Sequence, residues 1–138
     1  MKAFEILDHT ADIGLLIRGR DLRELFENAG KGFFHLITDM RRVRERLEKR
    51  IEIGQEPLER LMVDWLNELL YFHDVENLLL RTFKMESVWK GGLKAVVKGE
   101  SFREGVHVVK TEIKAVTYHQ IQVQKEDGLW KARVIFDL

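Results

Sequence analysis

An α+β domain, with two helices packed on a largely antiparallel sheet, is the fold this sequence predicts, and three features predict it. Apolar residues recur at helical spacing over 22–37 and again over 58–72. From Leu78 onward the apolar spacing shortens to two, the period of a strand with one buried face. Gly91-Gly92 and Asp127-Gly128 then mark tight hairpins, because the favoured two-residue turns need positive φ at both central positions. Helices early and hairpins late argue for α+β and against a parallel α/β sheet.

The elements follow in order. Phe4 and Ile6 alternate with Glu5, then Ile13, Leu15 and Ile17 alternate with Gly14, Leu16 and Arg18, so two strands open the chain with a polar break between them. Asp21 with Glu24 three residues on resembles a capping box, in which each side chain reaches the other's free amide. Leu22, Leu25, Phe26, Ala29, Phe33, Leu36 and Ile37 form the apolar face of the helix that follows. Gly30 and Gly32 weaken that helix locally and suit close packing against a sheet. Pro57 suits the first turn of the second helix, where a missing amide hydrogen costs nothing. Leu58, Leu61, Met62, Trp65, Leu69 and Phe72 line one face there. Runs at 78–89, 93–100, 107–124 and 129–137 read as a late antiparallel meander. The third is long for one strand and bends near Tyr118–Gln120.

The 138 residues suffice for one domain, 1–138, with no repeat and no linker. A chain of that length buries about two-thirds of its unfolded surface and needs no staples. There is no cysteine, which excludes disulfides, a thiolate nucleophile and every Cys-based zinc site. No apolar run approaches the roughly 20 residues of a membrane span, and no leader is visible at Met1–Glu5; a cytoplasmic location with no membrane partner is the expectation. Lys and Arg number 23, Asp and Glu 23, so the net charge is zero and a strongly basic nucleic-acid binder is not expected.

Four constellations could carry chemistry. Asp8-His9-Thr10-Ala11-Asp12 gathers two carboxylates, an imidazole and a hydroxyl at a strand end, and carboxylates are natural ligands of Mg²⁺ or Ca²⁺. The commoner meaning of such a segment is a polar turn whose side chains satisfy local amides. The last strand ends abruptly in Asp137-Leu138, setting a side-chain carboxylate beside the terminal one; a cation would relieve that repulsion, although a strand that simply stops is the blander account. Lys114, Val116 and Tyr118 share one face of the long β run, where a lysine steadies a phosphate or merely pairs with an acid. Finally, Arg41 to Arg50 holds six basic residues in ten and could track a phosphate backbone. No aromatics interleave, and a solvated connector is the commoner meaning. His35, His73 and His107 are scattered singly and read as surface or core-edge residues.

Together these pieces resemble the archease family. The matching segments are Asp8 to Gly14, Trp65 to Leu70, Lys94 to Glu100, Lys114 to His119 and Val134 to Leu138, in order along the chain. The resemblance implies an activator of an RtcB-type tRNA-splicing RNA ligase and not an enzyme. It would promote guanylylation of the ligase's active-site histidine, sustain multiple turnover and broaden the nucleotides accepted. It also implies a divalent metal (Ca²⁺, Mg²⁺ or Mn²⁺) held by Asp12, Asp137 and the terminal carboxylate of Leu138. Lys114 would be needed for activation, with His9 beside the metal. Direct contact with RNA is left open. The competing expectations are a general chaperone or modulator of RNA- or DNA-processing proteins, and a metal-dependent phosphoesterase built on Asp8, His9, Asp12 and Asp137.

Overall fold

In the computed structural model, which describes residues 1–8 and 11–138, two antiparallel sheets enclose two helices. The four-stranded sheet has the order β1-β2-β7-β6, from β1 (Phe4–Asp8), β2 (Asp12–Gly19), β6 (Ala115–Glu126) and β7 (Leu129–Asp137). The three-stranded sheet has the order β3-β5-β4, from β3 (Leu47–Gly54), β4 (Leu78–Trp89) and β5 (Gly92–Ser101). The late strands are therefore not one meander. They form two hairpins in different sheets, and the opening hairpin β1-β2 joins β7 rather than a sequence neighbour.

Helix α1 (Leu22–Ile37) packs on β2 from one side and β4 from the other. Its two glycines make that double contact physical. A Cβ at Gly30 would stand 2.7 Å from the Phe83 ring of β4, and one at Gly32 would stand 3.1 Å from Leu15 of β2. Each glycine costs the helix about 1 kcal/mol relative to alanine and lets a sheet approach in return. Asp21 caps the helix by accepting from the Glu24 amide at 2.8 Å. Glu24 reaches back one residue further than a capping box requires, accepting from the Arg20 amide at 3.1 Å and from its guanidinium.

Helix α2 (Leu58–Asp74) follows Pro57 and packs on β6, β3 and β4. Trp65 is fully buried, and its indole donates to the Phe26 carbonyl of α1 at 2.9 Å, which satisfies its one polar atom and ties the helices together. Phe26, Phe33, Phe34 and Phe136 are likewise wholly buried.

Three further expectations need correction. Residues 47–50 are not connector: with 51–54 they form β3, an edge strand on β5. Its buried Ile51 and half-buried Leu47, Lys49 and Ile53 alternate with exposed Glu48, Arg50, Glu52 and Gly54, and the outward charges hid that period. The run 107–124 becomes strand only at Ala115, because 107–110 is used to close the end of α1. Lys110 donates its amide to the Ile37 carbonyl at 2.7 Å, and Val109 bridges Thr38. The β4-β5 turn centres on Lys90-Gly91, neither of which takes a positive φ, whereas Asp127 (φ 54°) and Gly128 (φ 78°) do so as expected. The bend in β6 is real. Between Thr117 and Gln122 the pairing with β7 slips, around Gln120 at φ 55°.

Candidate functional site

An early and a late segment of the chain meet at one end of the four-stranded sheet, on its two central strands. Asp12 opens β2, Asp137 closes β7, and the two are directly opposed in the ladder. On the other flank of β7, Ala115 opposes Asp137, and the Lys114 amide donates to the Asp137 carbonyl at 2.8 Å. Asp12, Asp137 and Lys114 are thus brought together from three separate segments.

Directly opposed residues share a face, with Cβ atoms about 4.5–5.5 Å apart, and like charges there are destabilising. Asp137 is exposed and Asp12 half-buried, but the Asp12 Oδ1 atom is buried and has no hydrogen-bond partner among the described residues. An unsatisfied carboxylate oxygen costs more than the roughly 1–3 kcal/mol of a neutral group. A hard cation fits this donor set, since Ca²⁺ and Mg²⁺ take carboxylate oxygens. Among the described residues no three His, Cys, Asp or Glu side chains gather into a metal cluster. The side chains therefore offer two carboxylates. Leu138, the third residue expected to contribute, is exposed beside Asp137.

The other expected residues fall differently. Asp8 opposes Ile13, so it lies on the face opposite Asp12 and Asp137 and does not join them. His9 lies outside the described residues. Lys114 precedes β6 rather than sitting within it, and is exposed.

One buried polar centre escaped the sequence reading. Glu100 is 2% exposed and accepts from the Arg44 amide at 2.7 Å and the Arg46 Nε at 3.1 Å. His107, expected at the surface or the core edge, is 4% exposed and sits 3.0 Å from Glu100 through Nε2. Its Nδ1 accepts from the Arg103 amide at 2.9 Å, which leaves the ring proton on Nε2 to donate to Glu100. Burial alone would raise the Glu100 carboxyl. The bonds from Arg44 and His107, with the charge of Arg103, outweigh it and hold the group below the ordinary glutamate value. Period two puts Glu100 on the same outward face of β5 as Lys94 and Lys98. It is the turn 103–107, closed by Arg103 carbonyl bonds and Gly105 at φ 85°, that folds back and covers it.

Among the described residues, no helix is long and apolar enough to cross a membrane. Residues 4–138 match the model of the Archease protein family (MTH1598/TM1083). The chain is 45% identical to a protein archease of Methanothermobacter thermautotrophicus over the full length of both, and 37% identical to that of Pyrococcus furiosus, again over both full lengths. Among solved structures, protein 1598 of Methanobacterium thermoautotrophicum superposes with a TM-score of 0.86 at 44% identity, covering all of both chains. An archease of Thermotoga maritima, described as a possible chaperone, superposes at 0.66 with 25% identity, covering 96% of this chain and 94% of that one.

Proposed function

This chain belongs to the archease family, and from that premise we propose that it activates an RtcB-type tRNA-splicing RNA ligase without catalysing a reaction itself. In this reading it promotes guanylylation of the ligase's active-site histidine, which keeps the ligase turning over and widens the nucleotides it accepts. The observation that carries the reading is the meeting of Asp12, Asp137 and the Lys114 backbone at one end of the sheet, with a buried Asp12 oxygen that has no hydrogen-bond partner among the described residues.

Asp12, Asp137 and the terminal carboxylate of Leu138 would hold a divalent ion, Ca²⁺ or Mg²⁺ with Mn²⁺ as the alternative. Such an ion supplies charge neutralisation next to phosphates, on which nucleotidyl transfer chiefly depends. The Lys114 amide is tied to the same end of β7, which fixes its backbone beside Asp137 and leaves its exposed side chain free to reach a docked partner. Docked at the nucleotide site of the ligase, it lends a positive charge to the phosphates as the histidine attacks. His9, three positions before Asp12 in sequence, is the second residue proposed to contribute.

The test is multiple-turnover RNA ligation by the cognate ligase with and without this protein. Sustained turnover only when the protein is added is the expected result; an unchanged rate would sink the reading. A general chaperone role draws on the description of the Thermotoga maritima relative, and would instead yield aid to unrelated clients. The phosphoesterase reading loses support because Asp8 faces away from Asp12 and Asp137.

A further inference from the structure

The loop between α1 and β3 carries a second constellation. Arg41, Arg42, Arg44 and Arg81, with Val106, line one depression of about 290 Å³, below the roughly 300–1,000 Å³ of small-molecule pockets and without their apolar walls. Guanidinium groups stay charged at any accessible pH, so four of them in one hollow repel. Nearby acids do little to offset this. Asp39 bonds to Arg41, at 3.0 Å, and only its field reaches Arg42, Glu45 accepts from Thr82, and Glu100 is buried against Arg46, Arg103 and His107. The side chains of Arg42 and Arg44 make no hydrogen bond or ion pair with any described residue.

This loop is not slack. Val43 is fully buried, its amide donates to the Met40 carbonyl at 3.1 Å, and its own carbonyl accepts from Arg81 Nη1 at 3.0 Å. The Arg44 amide is fixed to Glu100 at 2.7 Å and the Arg46 amide to the Gly99 carbonyl at 2.9 Å. The backbone that carries Arg42 and Arg44 is therefore held in place before any ligand arrives, which lowers the entropic cost of binding, while Arg81 is itself fixed on the Val43 carbonyl. Forked guanidinia match phosphate oxygens, and the absence of an aromatic side chain from the lining removes any platform for base stacking.

Position adds the rest. Helix α1 runs back along β2, from Leu25 beside Gly19 to Gly32 beside Leu15 and Phe33 against Phe136, so its C-terminal end lies toward the Asp12 end of that sheet. From Val106 in the hollow to Lys114 at the Asp137 carbonyl is a run of eight residues, no more than about 29 Å when fully extended. We propose that the arginine hollow is a docking site for the phosphodiester backbone of RNA, read without regard to sequence, on the same end of the molecule as the carboxylate site. The choice of RNA among polyanions rests on the ligase reading above.

The test is anisotropy of a short labelled single-stranded RNA titrated with the full chain, between about 50 and 200 mM salt. R42Q/R44Q, which removes the charge of two exposed side chains that bond to no described residue, should weaken binding roughly tenfold and flatten the log–log salt slope by about 1.4. Absence of binding by the wild type, or equal binding by R42Q/R44Q, overturns the site. Equal affinity for a polyglutamate peptide overturns it in favour of an acidic protein segment. Guanylylation of the ligase assayed without RNA should not change in R42Q/R44Q. If the protein fails to stimulate guanylylation while RNA binding still depends on Arg42 and Arg44, the ligase reading falls and the RNA site stands.

Discussion

Asp12 and Asp137 stand opposite each other across the β2-β7 ladder, the first position of β2 against the last position of β7. With no cation present their repulsion opposes the pairing that closes the sheet. Asp137→Asn should therefore leave the metal-free protein as stable as wild type, or more stable by about 0.2–1 kcal/mol. Adding Ca²⁺ should reverse the order. At a hundred times its dissociation constant an ion bound only by the folded state stabilises by about 2.7 kcal/mol. Thermal melts in chelator and in a calcium series check this; identical melting shifts in both proteins would remove the site.

Lys114→Ala probes the neighbouring charge separately. Only the Lys114 amide is committed to the Asp137 carbonyl, so truncating an exposed side chain should leave the fold and the calcium response intact. Ligase guanylylation, measured by label transfer from GTP, should fall by tenfold or more, the usual worth of a positioned charge in phosphoryl transfer. Undiminished transfer would return Lys114 to an ordinary surface role.

The helix glycines give a purely structural test. Gly30→Ala adds helix propensity worth about 1 kcal/mol but places a methyl 2.7 Å from the Phe83 ring, and overpacking of that kind costs about 1–3 kcal/mol. The expected net is a loss of stability in urea denaturation. Gly54→Ala, at the exposed end of β3 with nothing within 4 Å of the new methyl, should instead gain about 0.4–1 kcal/mol by restricting the unfolded chain. A gain at both positions would mean that β4 does not press on α1 as described.

What the sequence disclosed, and what it hid, follows one rule. Period and turn chemistry are local, so both helices, the two opening strands and the Asp127-Gly128 turn could be read from neighbouring residues. Asp12 and Asp137 were singled out because each sits at a strand end, yet nothing local says that the strands pair. That is decided by β1-β2 joining β7 instead of a sequence neighbour. Strand β3 was hidden by its outward charges. Glu100 and His107 were hidden because their burial is produced by a turn that folds back over the outer face of β5, which no periodicity in either segment encodes.

That buried pair yields a prediction with a definite sign in pH. The folded Glu100 carboxyl lies below its ordinary value of 4.5, so the folded state binds the proton more weakly than the unfolded state does. Its contribution to stability is then fully present above about pH 4.5 and is lost as pH falls through the lower folded value. Glu100→Gln keeps an acceptor for the Arg44 amide and His107 but removes the charge facing Arg46 and Arg103. Near neutral pH it should cost about 1.5–3 kcal/mol, the range for hydrogen bonds to a charged group. On acidification below 4.5 the wild type should lose stability faster than the variant, and the gap between their urea midpoints should close. Midpoints that fall in parallel from neutral pH into acid would show that Glu100 is not held as an anion in the folded protein.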